Sequence, residues 1–380
     1  MANNDLPAKI ELVAELEGHD DRAWHVAWNP HRPILASCSA DKTVRMYHYQ
    51  LNTSSSDADS SSPLLKFSHT TTIPTGHTKT VRAIAWSPSG KTLATASFDA
   101  NIGIWAQEED EEDEGAGGGS GEWECMSLLE GHETECKSVA YSRSGSLLAS
   151  CSRDKTVWIW EVHPDSDFEC MGVLMEHTQD VKCVAWHPKE EILASASYDD
   201  TIKLYSDDPS DDWFCATTLS GHDSTVWTLA WEPTNGKYLA SGSDDGTIRL
   251  WRITGGQMSE MKGECIMALE GHQGSIYSIS WSPGKKDEKR IAEDGESSLG
   301  WLASTGGDGT VVIWEITERP IAGSDRSKLS SRKIAQLDAA HGVFDVNSIV
   351  WCPRPGLEHV FATAGDDGHV RIWKVEWKNT

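Results

Sequence analysis

Serine, histidine and aspartate recur together along this chain. That trio is the composition of a hydrolytic triad, in which an Asp orients a His and the His takes the proton of a Ser. The histidines are His19, His77, His132, His177, His222, His272 and His341. A hydroxyl follows each, at Ser37, Thr95, Ser150, Ser195, Ser241, Ser304 and Thr363. Four residues after each hydroxyl stands an aspartate: Asp41, Asp99, Asp154, Asp199, Asp245, Asp308 and Asp367. One enzyme needs one triad, and this chain carries seven sets. The arrangement therefore reads as a structural repeat in which buried His and Asp satisfy one another, since an unpaired buried polar group costs about 1–3 kcal/mol. The chain is read as a non-enzyme, with no cofactor and no resident metal. It contains no G-x-x-x-x-G-K-[ST] loop, no H-E-x-x-H and no dinucleotide fingerprint. GDDGHV and GGDGTV are expected to be Asp turns and not phosphate loops.

The elements that must position these residues are short strands. Nine residues after each histidine comes an aromatic closing an apolar run: Trp28, Trp86, Tyr141, Trp186, Trp231 and Trp281; in the last repeat Trp351 arrives after ten. Six residues after each Asp comes a second aromatic: Tyr47, Trp105, Trp160, Tyr205, Trp251, Trp314 and Trp373. RAWHVAW, ILASCSA and TVRMYHY alternate β-branched and small residues between Asp-containing turns. Four strands per unit of about 40–45 residues describe a propeller blade. The expected fold is all-β, a single seven-bladed propeller over residues 1–380. Ile10 to Leu16 has no blade of its own, so it is expected as the outer strand completing the last blade, whose inner strands come from the chain's end, HVRIWKVEW.

The His-to-His spacings are 58, 55, 45, 45, 50 and 69. The excess falls in polar segments 51–63, 107–121, 283–298 and 318–333, expected as flexible surface loops because such composition does not repay the entropy of ordering. Glu108 to Glu114 is seven consecutive acids and is read as a solvated stretch of one such loop.

Bulk composition excludes several classes of partner. Lys and Arg number 33 against 59 Asp and Glu, a formal charge of −26, which disfavours nucleic acid and anionic membrane. No apolar run is long enough to span a bilayer, and the start MANNDLPAKIELVAEL lacks the pattern of a secretory signal. Nine cysteines form no C-x-x-C pair, and Cys38, Cys151 and Cys183 lie in apolar strand-like runs. The expected compartment is reducing: cytosol, nucleus or both.

This frame resembles the WD-repeat family over nearly the whole chain, although the Trp-Asp dipeptide itself never occurs. The resemblance implies that within each blade the His reaches the turn Asp and the Ser or Thr links the His to the second aromatic. It also implies two positions per blade on the narrow-end face. One lies four residues before the first aromatic: Trp24, Arg82, Lys137, Lys182, Trp227, Tyr277 and Asn347. The other precedes the turn Asp: Ala40, Phe98, Arg153, Tyr198, Asp244, Gly307 and Asp366. Blades 2 to 5 thus bring Arg82, Phe98, Lys137, Arg153, Lys182, Tyr198 and Trp227 to one sector, with Trp24 beside it. Such a patch would suit an acidic peptide carrying an aromatic or a free carboxylate.

The stretches GHDDRAWHVAWNP, LASCSADKTVR, CSRDKTVWIWEV, EHTQDVKCVAWHPKEEILASASYDDTIKLY and DDWFCATTLSGHDSTVWTLAW are similar to the cytosolic iron–sulfur protein assembly branch of the family. That likeness implies a scaffold, expected to be monomeric by itself, in a targeting complex. Its partners would be a small acidic-site protein, a large helical-repeat scaffold, a late-acting Fe–S carrier and apoprotein clients. The likeness also implies a functional Arg in the SRDK turn, here Arg153. The alternative reading is an adaptor of another complex, a ubiquitin-ligase receptor or a chromatin propeller. Ligase receptors carry a Trp-Asp-x-Arg box, absent here, and chromatin propellers add a long N-terminal helix for which the residues before Ile10 leave little room.

Overall fold

The computed structural model describes residues 6–51, 65–107, 122–164, 167–208, 210, 212–256, 259–284, 296–321 and 327–378. Within them, 28 strands form seven separate four-stranded antiparallel sheets. The first blade shows why. AWHVAW, ILASCS and TVRMYHYQL become strands Ala23–Trp28, Ile34–Ser39 and Thr43–Leu51, with Leu65–Pro74 outermost. Every residue of ILASCS is buried, because the second strand of a blade is covered on both faces. Small Ala, Ser and Cys side chains fit that double burial.

The innermost strands are Ala23–Trp28, Val81–Trp86, Cys136–Tyr141, Val181–Trp186, Val226–Trp231, Ile276–Ser282 and Val346–Trp351. Each contacts the innermost strands of the blades before and after it, and the last contacts the first, so the ring is closed. The apolar core is divided among the interfaces. Seven clusters of buried side chains each combine residues of two adjacent blades, as where Trp28 and Tyr49 of blade 1 meet Val360 and Ile372 of blade 7.

Closure uses both ends of the chain. Ala8–Leu16 pairs antiparallel with Val370–Trp377, from Ala8 opposite Trp377 to Leu16 opposite Val370, and so becomes the outer strand of blade 7. The C-terminal strand is third in its blade; the two inside it are Val346–Trp351 and Val360–Gly365. In five repeats the indole of the first aromatic clasps the neighbouring blade, whereas that of Trp281 donates to Leu299 O of its own blade. The Trp86, Trp186, Trp231 and Trp351 indoles donate to the carbonyls of Ala27, Ala140, Ala185 and Ser280, at 3.0–3.1 Å. Trp28 donates to Val350 O across the seam between blades 7 and 1, at 3.1 Å.

One expected loop is largely sheet. Of 318–333, Glu318 to Pro320 and Ser327 to Lys333 extend a hairpin that pairs as far as Pro320 opposite Ser327. The polar side chains there find partners on blade 5: Tyr238 donates to Glu318 at 2.8 Å, and Arg252 to Ser327 O at 2.7 Å. Leu329 is buried beneath them. Ser297 and Ser298, at the end of the expected loop 283–298, pair with Glu318 and Thr317. Leu51 and Gln107 end strands; the rest of 51–63 and 107–121, including the acidic run, lies outside the described residues.

The residue after each turn Asp adopts a left-handed backbone in all seven blades: Lys42, Ala100, Lys155, Asp200, Gly246, Gly309 and Gly368, with φ from 66° to 79°. A Cβ at Gly246 would meet nothing closer than 3.7 Å, so only backbone strain opposes one. Gly246→Ala is expected to lower unfolding free energy by about 1 kcal/mol, and Ala100→Gly to raise it by a smaller amount. Urea titration measures both, and shifts of the same sign would show that the turn strain is not what sets them.

Candidate functional site

The seven His–Asp pairs have the contacts of a catalytic triad and the burial of a core. In blade 1, His19 Nδ1 lies 2.8 Å from Asp41 and His19 Nε2 lies 2.8 Å from Ser37 Oγ. The equivalent contacts span 2.7–3.0 Å for His77, His132, His177, His222, His272 and His341 with their nearest Asp oxygen and their Ser or Thr. In five blades Trp105, Trp160, Trp251, Trp314 and Trp373 donate Nε1–H to the same hydroxyl. In blades 1 and 4 the place is taken by Tyr47 and Tyr205, whose buried hydroxyls do not complete the chain.

An ionised Asp only accepts, so Nδ1–H donates to it; Nε2 faces the hydroxyl, whose oxygen receives the indole N–H in five blades. The hydroxyls Ser37, Thr95, Ser150, Ser195, Ser241, Ser304 and Thr363 are all 0 % exposed, so none can meet a substrate.

Burial alone would raise the turn carboxyls, but hydrogen bonds from His and from a following Thr outweigh it. Asp41, Asp154, Asp199 and Asp367 are held far below the usual carboxylate range and Asp245 is brought to about 2. In Asp367, Arg371 stands in place of the Thr. Thr43, Thr156, Thr201 and Thr247 bond the second carboxylate oxygen, a role visible beforehand only as a Thr two residues after Asp.

The turns build the rim above the channel. Every innermost strand carries a β-bulge at its second residue, where the pairing skips one position. The skipped residues are Trp24, Arg82, Lys137, Lys182, Trp227, Tyr277 and Asn347. A bulge re-aims its side chain out of the alternation, and these seven converge on the axis. Together with Arg22, Phe98, Asp345 and Asp366 they line one cavity of about 290 Å³ at the channel mouth. Arg153 and Tyr198 stand outside it, in an adjoining depression with Glu135, Gln179 and Asp180 that shares Lys137 and Lys182.

Cations and rings interleave as the charges require. The Arg82 guanidinium stands 4.7 Å over Trp24, Lys137 4.2 Å over Phe98, and Lys182 4.8 Å over Trp227 and 5.3 Å over Tyr198. Carboxylates already engage most of this sector. Glu135 pairs with both Lys137 and Arg153, the latter at 3.3 Å, and Asp180 with Lys182 at 3.3 Å. Burial lowers Lys137, against the pull of Glu135. Arg82, also lowered by burial, has no carboxylate partner among the described residues.

Glu135, Asp180, Arg22 and Asp345 were not foreseen, yet they share an offset. Each lies two residues before a bulge, as do Thr80, Thr225 and Ser275. The carbonyls of all seven accept the N–H of the residue preceding the turn Asp. The rim thus has three positions per blade. Of metal-binding character, the described residues hold one trio on the outer hairpin of blade 3, half-buried Glu161 and His163 with exposed Glu169, His163 Nε2 lying 3.9 Å from each carboxylate.

Seven closed blades, each with an Asp turn pinned from its own core, are the architecture of a WD-repeat propeller. The WD domain, G-beta repeat, family model matches residues 10–48, 67–106, 123–161, 168–206, 213–252, 263–315 and 332–374. The chain is 43 % identical to the probable cytosolic iron-sulfur protein assembly protein 1 of Cryptococcus neoformans var. neoformans serotype D, covering 97 % of this chain and 99 % of the relative. The protein of the same name from Mycosarcoma maydis is 46 % identical, covering 97 % and 93 %, and that from Scheffersomyces stipitis 37 %, covering 96 % and 99 %. The chain belongs to the WD-repeat family and, within it, to the family of these cytosolic iron-sulfur protein assembly proteins.

The buried His25 and the depressed turn aspartates give acid sensitivity a definite sign. Burial brings His25, in the channel wall, down to about 4, so its neutral form is favoured by folding and stability falls as pH drops from about 6.5 to about 4. The depressed Asp carboxyls contribute fully above their unfolded value near 4 and lose that contribution as pH falls toward about 2. The melting temperature is therefore expected to decline in two stages below pH 6.5, the second steeper. A profile flat from pH 6 to pH 3 would contradict this assignment of protons.

Proposed function

We propose that the protein is a non-catalytic scaffold subunit of the cytosolic iron–sulfur protein assembly targeting complex, helping deliver Fe–S clusters to cytosolic and nuclear apoproteins. The observation that carries this reading is near-full-length similarity to relatives bearing the assembly-protein name. The cluster is cargo, carried by partners. Cys38, Cys136, Cys151 and Cys352 are buried within the blades, and burial raises the thiols of Cys38, Cys136 and Cys151, as expected of packing residues rather than ligands. The partners are a small acidic-site protein, a helical-repeat scaffold, a late-acting Fe–S carrier and the apoproteins, met in the cytoplasm and also in the nucleus.

In this reading the mouth and its cationic flank hold one acidic partner. Arg82, Lys137, Lys182 and Arg153 supply charge, and Trp24, Phe98, Tyr198 and Trp227 supply rigid apolar area. Arg153 is the accessible member: its side chain is 58 % exposed and its ion pair with Glu135 is long enough to yield to an incoming carboxylate. Reversing its charge disturbs no buried contact. Arg153→Glu is expected to fold normally and to reduce recovery of one assembly partner about ten-fold in affinity purification with mass spectrometry. Ubiquitin-ligase subunits or histones co-purifying with the wild type, in place of iron–sulfur assembly factors, would refute the proposal.

A further inference from the structure

The cationic half of the mouth adjoins an acidic half. Asp345 and Asp366, both from blade 7, line the same cavity as Arg82 on blade 2, with blade 1 between them. Asp366 is engaged: Asn347 donates to it at 2.8 Å and Arg22 pairs with it at 3.3 Å. Asp345 has no cation paired to it among the described residues. Burial and the neighbouring Asp366 push its carboxyl up, and Arg22 and the Tyr277 hydroxyl only partly oppose them. Two unspent charges of opposite sign therefore share one cavity without reaching each other, Arg82 on blade 2 and Asp345 on blade 7.

The same loop has a second peculiarity. In the last repeat the aromatic arrives after ten residues instead of nine, and the extra residue falls between His341 and Val346. It lifts Val343, 95 % exposed, and Phe344, 47 % exposed, into solvent beside Asp345. An apolar pair next to a carboxylate without a counter-ion suits the long stem and charged head of a basic side chain.

We propose that the channel mouth is a two-charge receptor for an extended segment of a partner protein, seating a carboxylate of that segment on Arg82 and a Lys or Arg of the same segment on Asp345, with the basic stem against Phe344. This rests on the mouth being a partner site and adds what the cationic half cannot provide: a direction. The acid end of the segment lies toward blade 2 and its basic end toward blade 7. The energetic logic is relief of an existing strain, because a cation arriving at Asp345 removes its repulsion with Asp366.

The test uses the full chain and an array of acetylated, amidated octapeptides in which one acidic and one basic residue are scanned independently, so that no free terminus contributes. Wild type is expected to retain peptides carrying both charges, and to bind about ten-fold more weakly when either is replaced by its neutral counterpart. Asp345→Asn is expected to lose the dependence on the basic residue, keep the dependence on the acidic one, and melt no lower than wild type. Asp345→Lys is expected to turn the selection toward peptides with two acids. A wild type that selects acidic peptides whatever the basic residue, with Asp345→Asn selecting the same set, would overturn the two-charge receptor and leave the partner site standing. Binding that ignores the acidic residue altogether would remove both.

Discussion

The second strand of a blade is buried on both faces, and this constraint fixes nearly everything else. No blade has a side it can show to water, so each needs a neighbour on either hand. A row of blades leaves two uncovered faces, and seven in a ring leave none. The seam between blades 7 and 1 must therefore be as well made as the other six. It is made three ways: by the cluster joining Tyr49 and Trp28 to Val360 and Ile372, by the Trp28 indole on Val350 O, and by Ala8–Leu16 pairing with the C-terminal strand. The last ties the two ends of the chain together, so opening the ring requires stripping a strand from blade 7.

The hydrogen-bonded chain from indole to hydroxyl to imidazole to carboxylate transmits this order from core to rim. Its inner end is fixed among the buried strands, and its outer end is an Asp that accepts N–H groups on both sides of its turn. The residue before that Asp then donates its own N–H to the carbonyl of the third rim position, in all seven blades. Rim side chains are thus placed by a continuous series of short contacts reaching back into the sheet, a form of preorganisation that spares a partner the entropy of ordering them. The atoms that perform acyl transfer in a hydrolase are here turned wholly to positioning, because the hydroxyl is sealed and its lone pair is in use.

The blade count, closing strand and polar frame were legible in the sequence, because each depends on offsets within one repeat. The rim was legible in part. Trp24, Arg82, Phe98, Lys137, Lys182 and Trp227 do share a cavity, and Arg153 and Tyr198 adjoin it. What makes them converge, a bulge at the second residue of each inner strand, was not visible, since a bulge is a property of the pairing between two strands. The acids Glu135, Asp180 and Asp345 were missed for a related reason: the third rim position is defined by a carbonyl, and a carbonyl leaves no mark on residue type. The hairpin within 318–333 was hidden because its polar groups are satisfied by Tyr238 and Arg252 from another blade, 75 to 80 positions earlier, and a composition rule sees only the local stretch.

The proposed acidic partner must approach a protein of formal charge −26. The long-range field of such a chain repels anions, and salt screens that repulsion beyond about 10 Å. At contact the balance changes, but unevenly. A carboxylate approaching Lys137 or Lys182 must displace Glu135 or Asp180, so it exchanges one ion pair for another and gains little, whereas the exposed pair of Arg153 yields more readily. At Arg82 nothing is displaced, and the guanidinium is already stripped of much of its water, so a new pair there meets a low local dielectric and little competition. An acidic partner of the kind proposed would accordingly gain most from the half-buried Arg82, and less from the lysines that Glu135 and Asp180 already hold.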